Sequence, residues 1–195
     1  MLAASPGSSP LEAAEASLEE NKEQLKAVQS YVNGGDVLNG MMREERDNEF
    51  TAKDENTVGY LDNAISAQAP TTQDSVLYRG VAPVGSTPGI GVPGPGLTPA
   101  PDFASMQAGD QFTDKGFIST TTNPSLGEKF ATTQGTQLEI HAPAGTQGLS
   151  VPAVTGVDIL NEQEVVLPRG SEFTVLEPRD EMTGVMKVSI GGSGG

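Results

Sequence analysis

Two carboxylates separated by one residue, Glu162 and Glu164, are the side chains of this sequence best placed to do chemistry. Glu164 begins the apolar run Val165 to Leu167 and therefore belongs to the edge of a strand, whereas Glu162 belongs to the loop before it. Carboxylates in different environments can divide labour, one stabilising a developing cation and the other accepting a proton. Two solvated acids in an acidic protein are the competing interpretation.

An arginine near the end of a β-type run, Arg79, is the second candidate. Val76, Leu77 and Tyr78 precede it, so its guanidinium would be half-buried and would need a partner. The rigid fork of N–H donors suits a phosphate or a carboxylate. A structural salt bridge explains the same pattern.

A cluster of hydroxyls forms the third candidate. Ser119, Thr120 and Thr121 follow an apolar strand start, and Asn123-Pro124 then opens a short helix. Hydroxyls in such a place can orient a carboxylate or bind the hydroxyls of a sugar. An ordinary turn with a helix N-cap is the alternative.

The composition excludes several classes of site. The chain has no cysteine and a single histidine, His141, so thiolate nucleophiles, disulfides and the usual structural zinc sites are excluded. His141 alternates with apolar neighbours beside Glu139, which predicts a surface or sheet residue. With a net charge of −15 and no basic stripe, stable nucleic-acid binding is not expected. The segment from Gly89 to Gly94 matches a nucleotide-binding glycine pattern, but Pro93 within it prevents the required helix.

Three helices are predicted before residue 70. A capping box at Ser9 to Glu12 begins an amphipathic helix that ends near Gly34-Gly35. A second helix is predicted over residues 36–46 and a third over 57–69.

Seven short β-type runs separated by turns follow the helices, which predicts an α+β domain. We expect a flexible leader over residues 1–10 and one domain over 11–190, with helices to residue 69 and a β core over 75–190. A Pro/Gly-rich loop over residues 82–109 interrupts this core, and residues 191–195 form a flexible tail.

Taken together, the segments YRG, DKGFISTTTNPS and NEQEVVLPRGSEFTVLE resemble, in order and spacing, the R-S-E class of mono-ADP-ribosyltransferases. This class includes the enzymatic components of clostridial binary toxins, vegetative insecticidal proteins, and phage and bacterial effectors. The resemblance is strongest over residues 111–177. It implies the ADP-ribosyltransferase fold, in which N-terminal helices precede two packed, mainly antiparallel sheets around an NAD cleft.

The resemblance also implies roles on the cofactor side. Arg79, with Gly80 beside it, would hold the phosphates of NAD, and Ser119 would orient the catalytic glutamate. Thr120 would help to form the nicotinamide pocket, and Thr121 stands where the family has serine, which keeps the hydroxyl. Phe130 falls where the family places an aromatic residue of the cofactor loop; a packed helix residue is the alternative.

On the acceptor side, the resemblance makes Glu164 the carboxylate that stabilises the ribose cation when nicotinamide leaves. Glu162 would select arginine as the acceptor, because relatives with glutamine at this position modify asparagine or glutamine. Residues 153–161 would form the loop that recognises the target. Tyr31 and Asn39 would belong to a helical element that flanks the cofactor. No metal is required.

The expected function is transfer of ADP-ribose from NAD to arginine side chains of a target protein of the host. NAD hydrolysis and a non-catalytic interaction domain of the same fold remain alternatives. No apolar run is long enough to span a membrane, so we expect a soluble protein. The sequence lacks the pattern of a secretion signal, which favours an effector or injected phage protein that acts in the host cytoplasm.

Overall fold

The computed structural model describes residues 10–81, 101–131, 135–156 and 163–191. Glu162, the predicted leader up to residue 9, the tail from residue 192, residues 82–100 of the Pro/Gly-rich segment and residues 157–161 of the predicted target loop lie outside the described residues. The same holds for the side chains of residues 10–19, Asp36 and Phe130. Among the described residues, no helix has the length and apolar character needed to cross a membrane.

The helical layer contains one long kinked helix and one shorter helix. Helix α1 spans Pro10–Arg43, and its backbone leaves the helical conformation at Gly34 (φ −175°, ψ 23°). The break lies where the sequence predicts the boundary between two helices. A short 3-10 helix, Asp47–Glu49, and helix α2, Ala52–Ser66, follow.

Helix α2 begins five residues before its predicted start because a capping box is present there. The Thr51 hydroxyl accepts from the backbone N–H of Asp54, and the Asp54 carboxylate accepts from the backbone N–H of Thr51. These hydrogen bonds satisfy N–H groups that a helix start otherwise leaves without partners. The Thr51 hydroxyl also donates to the Asp54 carboxylate, and this bond, together with the one from the Thr51 N–H, lowers the pKa of Asp54 because both favour the ionised form.

In the described ranges, eight strands follow the first two helices, with helix α3 (Pro124–Ala131) after the third and helix α4 (Val151–Thr155) after the fifth. Their order across the sheet is β2-β7-β8-β4-β1-β3-β6-β5, and every neighbouring pair is antiparallel except β4 with β8. The strands are β1 Ser75–Val81, β2 Gln111–Asp114, β3 Ile118–Thr121, β4 Thr136–Ala142, β5 Leu149–Ser150, β6 Glu164–Leu167, β7 Ser171–Glu177 and β8 Val185–Ile190. Strand β5 is not predicted from the sequence, because two residues are too few to give a recognisable strand pattern.

The strands form one continuous sheet, whereas the family resemblance implies two packed sheets. Only one residue pair, Tyr78 opposite Thr121, joins β1 to β3. On one side of this junction lie β1, β4, β8, β7 and β2, and on the other lie β3, β6 and β5. The expected division is therefore present as two segments of one sheet, which a single pair keeps connected.

Two hydrophobic cores enclose the shorter segment. The first core packs α1 and α2 against Phe117 and Val166. The second joins Ile118 and Leu167 to the inner face of the longer segment. Successive residues of a strand point to opposite faces, so Val166 and Leu167 enter different cores. Strand β6 is thus apolar on both faces, which explains the unbroken run that follows Glu164.

A half-buried ion pair fixes the end of α1 over the start of β3. Arg43 Nε and Nη2 lie 2.6 and 3.0 Å from the two carboxylate oxygens of Asp114 in β2. Nη2 also donates to the carbonyl oxygen of Phe117 at 3.4 Å. A bidentate pair restricts orientation as well as distance. It therefore fixes the segment of α1 that follows the kink relative to the sheet.

Candidate functional site

The candidate residues meet at the junction between the two sheet segments. Tyr78 of β1 pairs with Thr121 of β3, and Thr121 pairs with Glu164 at the start of β6. Arg79 therefore lies next to the junction, two strands away from Glu164. Neighbouring strands are about 4.8 Å apart, so only the width of β3 separates the strand positions of Arg79 and Glu164.

Residues of β3 alternate between the two faces of the sheet. Ser119 pairs with Val166, so Ser119, Thr121 and Glu164 lie on the face that carries the first core. Ser119 is the diagonal neighbour of Glu164 on this face. A serine and a glutamate at such positions are close enough for their side chains to interact.

Thr120 lies on the opposite face from Ser119. Its side chain is buried, and its hydroxyl donates to the carbonyl oxygen of Val165 at 2.7 Å. Thr121 is also buried, and its hydroxyl accepts from the backbone N–H of Asn123 at 3.0 Å. The three hydroxyls therefore have different surroundings. The Thr120 hydroxyl ties β3 to β6, and the Thr121 hydroxyl holds the turn that precedes α3.

Arg79 and Gly80 lie on the β1 side of the junction. Arg79 Nη1 donates to the backbone carbonyl oxygen of Ser119 at 3.3 Å, and the side chain is half-buried. This hydrogen bond spans the boundary between the two sheet segments. Gly80 pairs with Gln137 of β4. The structure thus brings Arg79 to Ser119, two residues that the sequence separates by 40 positions.

A tyrosine of α1 connects these residues to the helical layer. Tyr31 Oη lies 3.1 Å from Ser119 Oγ and 3.3 Å from the carbonyl oxygen of Phe117. Asn39, one turn beyond the kink, donates from Nδ2 to Tyr31 Oη at 2.9 Å. The Tyr31 ring meets the ring of Phe117 edge to face, with centroids 5.7 Å apart. Tyr31 therefore lies beside the serine of the site, and Asn39 is linked to that serine through Tyr31.

Burial and neighbouring groups shift the pKa of Tyr31 above its ordinary value. Burial raises this pKa, because the apolar surroundings disfavour the phenolate. Hydrogen bonds with Ser119 and Asn39 and the positive charge of Arg79 lower it, while the negative charge of Glu164 raises it. Arg79, Ser119 and Glu164 thus all act on one phenol, which remains protonated at neutral pH.

The residue before Glu164 has an uncommon backbone conformation. Gln163 has φ 47°, in the left-handed region that side-chain-bearing residues rarely adopt. Its side-chain oxygen accepts a hydrogen bond from the Thr122 hydroxyl. Such a conformation costs about 1 kcal/mol and persists where neighbouring contacts hold it. The chain thus turns sharply where it enters β6.

Two other predicted residues are placed as follows. Phe130 belongs to α3, but its side chain lies outside the described part of the chain. His141 lies on β4, with Nε2 3.0 Å from a carboxylate oxygen of Glu139. This confirms that His141 is a sheet residue beside Glu139. Within the described ranges, no group of three or more histidine or acidic side chains could hold a metal ion.

A cavity of about 730 Å³ lies elsewhere, near the end of α1 and the turn between β6 and β7. Its two basic residues are already engaged in ion pairs, Arg169 with Asp62 and Lys115 with Glu45. None of the candidate residues in the described ranges lines it. It is therefore separate from the site at the sheet junction.

The sequence profile of the ADP-ribosyltransferase exoenzyme family matches residues 7–191, nearly the whole chain. The chain belongs to this family. It is therefore an NAD-dependent ADP-ribosyltransferase, with NAD as its substrate. A comparison with curated proteins gives no match.

Solved structures confirm the ADP-ribosyltransferase fold. C3stau2 from S. aureus with NAD has a TM-score of 0.64 at 18% identity, over 95% of this chain and 97% of that one. Exoenzyme S from Pseudomonas aeruginosa, in complex with human 14-3-3 protein beta and carba-NAD, has a TM-score of 0.64 at 18% identity, over 88% and 74%. The toxin BECa of a C. perfringens binary enterotoxin, with NADH, gives 0.60 at 20%, over 86% and 43%.

Proposed function

We propose that this chain transfers ADP-ribose from NAD to arginine side chains of a host protein and releases nicotinamide. One observation carries the proposal: Arg79, Ser119 and Glu164, in the order and spacing of the R-S-E class, lie where β1, β3 and β6 adjoin, with Ser119 against the Tyr31 phenol. The family accounts for ADP-ribose transfer from NAD. The two carboxylates separated by Gln163 support arginine as the acceptor.

In the first step, the bond between nicotinamide and C1′ of the ribose breaks. Nicotinamide leaves with the bonding electron pair, and positive charge develops on the ribose ring. Glu164 accepts a hydrogen bond from the 2′-hydroxyl, and its negative charge stabilises the developing cation. Arg79 binds the phosphates and fixes the dinucleotide across the junction between β1 and β3. Ser119 keeps the Glu164 carboxylate in place.

In the second step, a guanidinium nitrogen of the target forms a bond to C1′. A guanidinium is fully protonated at neutral pH and is a poor nucleophile, so one proton must leave as the bond forms. Glu162 pairs with the guanidinium and takes this proton. A glutamine at this position could orient an acceptor but could not accept the proton.

The acceptor chemistry can be tested with the complete chain, NAD carrying a label on its adenine, and a lysate of candidate host cells. We expect mass spectrometry to find the label on arginine, and a small guanidine compound to compete for it. A label on asparagine, glutamine or another residue would contradict arginine specificity. Nicotinamide release without any labelled protein or guanidine would show NAD hydrolysis instead.

The proposal also names a host protein as the target. The chain would reach that target as a phage or bacterial effector. The support for this part of the proposal is the toxins among the structures of similar fold, such as Plx2a from Paenibacillus larvae. The same labelling experiment identifies the modified protein. A label confined to the chain itself would contradict a host target.

Replacing Arg79 with lysine should raise the KM for NAD by about tenfold while leaving kcat nearly unchanged. Lysine keeps the charge but loses the planar fork that can hold two phosphate oxygens and the Ser119 carbonyl at once. Steady-state kinetics of nicotinamide release measure both constants. The matched control is Arg179→Lys, since Arg179 lies outside the site and bonds Thr136 and Gly135. An Arg79→Lys variant with the parent KM would remove Arg79 from phosphate binding.

A further inference from the structure

Asn39 has both ends of its side-chain amide hydrogen-bonded, and this fixes its orientation. The backbone N–H of Phe117 lies 2.8 Å from Oδ1, and an N–H group can only donate. The opposite end, Nδ2, must therefore face Tyr31 Oη, 2.9 Å away, and it too can only donate. Asn39 is buried, with 6% of its surface exposed, so bulk water does not compete for these bonds.

This orientation constrains the hydroxyl proton of Tyr31. Because Tyr31 Oη already accepts from Asn39, its own proton is available for a donor bond. Two acceptors are in reach, Ser119 Oγ at 3.1 Å and the carbonyl oxygen of Phe117 at 3.3 Å. The carbonyl also accepts from Arg43. Ser119 is the nearer acceptor, and it lacks that competing donor.

A serine hydroxyl that accepts from Tyr31 has its own proton left to donate. On the same face of the sheet, Glu164 is the diagonal neighbour of Ser119. We propose that Asn39 and Tyr31 are positioning residues that direct the Ser119 hydroxyl towards the Glu164 carboxylate through a one-way chain of donors. The inference rests on the proposed function, because it concerns the same carboxylate.

Two glycines make room for the side chains of this series of hydrogen bonds. A Cβ atom on Gly35 would lie 2.5 and 2.6 Å from two carbons of the Tyr31 ring. A Cβ atom on Gly116 would lie 2.9 Å from Asn39 Oδ1. Backbone therefore packs directly against the ring and against the amide, where a side chain would displace them. Hydrogen bonds in series inside a low-dielectric interior also strengthen one another.

The test uses Tyr31→Phe, Asn39→Asp and the double variant in the complete chain, with nicotinamide release as the assay. Phenylalanine removes the central hydroxyl and keeps the ring against Phe117. Aspartate keeps an acceptor for the Phe117 N–H but cannot donate to Tyr31 when ionised, so Tyr31 would donate to it instead. Each single change should lower kcat by about 10- to 100-fold, with the KM for NAD unchanged.

The double variant distinguishes a loss of Ser119 orientation from a general disturbance of the structure. If Asn39 acts through the Tyr31 hydroxyl, Asn39→Asp should have almost no further effect on kcat once that hydroxyl is gone. If the reductions in kcat of the two single variants instead multiply in the double variant, the proposed chain of donors is wrong. Tyr60→Phe is the matched control, because Tyr60 packs against the same core outside the chain of donors, and its kcat should stay at the parent value.

The outcomes separate this inference from the proposed function. If the parent chain releases nicotinamide and Tyr31→Phe keeps its kcat, the positioning role is wrong and the proposed function stands. If the parent chain releases none, both are overturned. A Tyr31→Phe variant with raised KM and unchanged kcat would also contradict the inference, since it would make Tyr31 a contact for NAD.

Discussion

Replacing Glu164 with glutamine should lower kcat for nicotinamide release by about a thousandfold, with little change in the KM for NAD. The variant keeps the size and the hydrogen-bonding oxygen of the side chain but removes its negative charge. That charge matters most after the glycosidic bond has begun to break, when the ribose becomes positive. Binding of intact NAD does not depend on it, so the loss should fall on the chemical step.

Steady-state kinetics and calorimetric NAD binding together test this expectation. Glu172→Gln is the matched control, because Glu172 is an exposed glutamate on β7, at the far end of the sheet from β6. It should retain the parent kcat. If Glu164→Gln instead weakens NAD binding and keeps kcat, the carboxylate contributes to binding of intact NAD and not to breakage of its glycosidic bond. The proposed mechanism would then be wrong.

Replacing Glu162 with glutamine should reduce transfer to arginine by at least about a hundredfold. Hydrolysis of NAD should remain close to the parent level, because water as the acceptor does not depend on a partner for the guanidinium. The neutral amide loses both the ion pair with the acceptor and the capacity to take its proton. Assays with a labelled arginine acceptor and with free nicotinamide measure the two activities in parallel.

The ratio of these two activities is the decisive quantity. Glu181→Gln, in the exposed turn between β7 and β8, provides a control at another loop glutamate and should leave the ratio unchanged. An equal fall of transfer and hydrolysis in Glu162→Gln would assign both carboxylates to breakage of NAD. A gain of label on asparagine or glutamine would strengthen the role of this position in acceptor choice.

The strand positions of the candidate residues can be predicted from the sequence because the motifs are local. The alternation of Ser119, Thr120 and Thr121 across the faces of β3 follows from strand geometry. So does the position of Glu164 at the start of a buried strand. The order of the three motifs then identifies the family, which the profile match over residues 7–191 confirms.

The contacts from the helical layer could not be derived in this way. Tyr31 meets Ser119 across 88 positions of the chain, and Asn39 meets Phe117 across 78. The sequence places Tyr31 and Asn39 on helices, but contacts between layers depend on the kink at Gly34 and on the packing of α1 over β3. A single sequence contains no signal for that packing. The role of the glycines that pack against Tyr31 and Asn39 can be seen only in the three-dimensional structure.

The division of the sheet is a related case. Strand patterns predict seven of the eight strands that the described residues form, but not how many residue pairs join one strand to the next. The expectation of two sheets differs from the structure by the single pair of Tyr78 with Thr121. Hydrogen-bond partners between distant strands follow from their twist and from the turns that precede them.

Strand β6 has a consequence for how such a chain tolerates mutation. Val166 belongs to one core and Leu167 to the other, while Glu164 lies two and three residues before them. A substitution that loosens either core would therefore displace the same carboxylate. Packing far from the cleft becomes a determinant of turnover, and an evolving lineage can exchange these apolar residues only in sets that keep both cores filled.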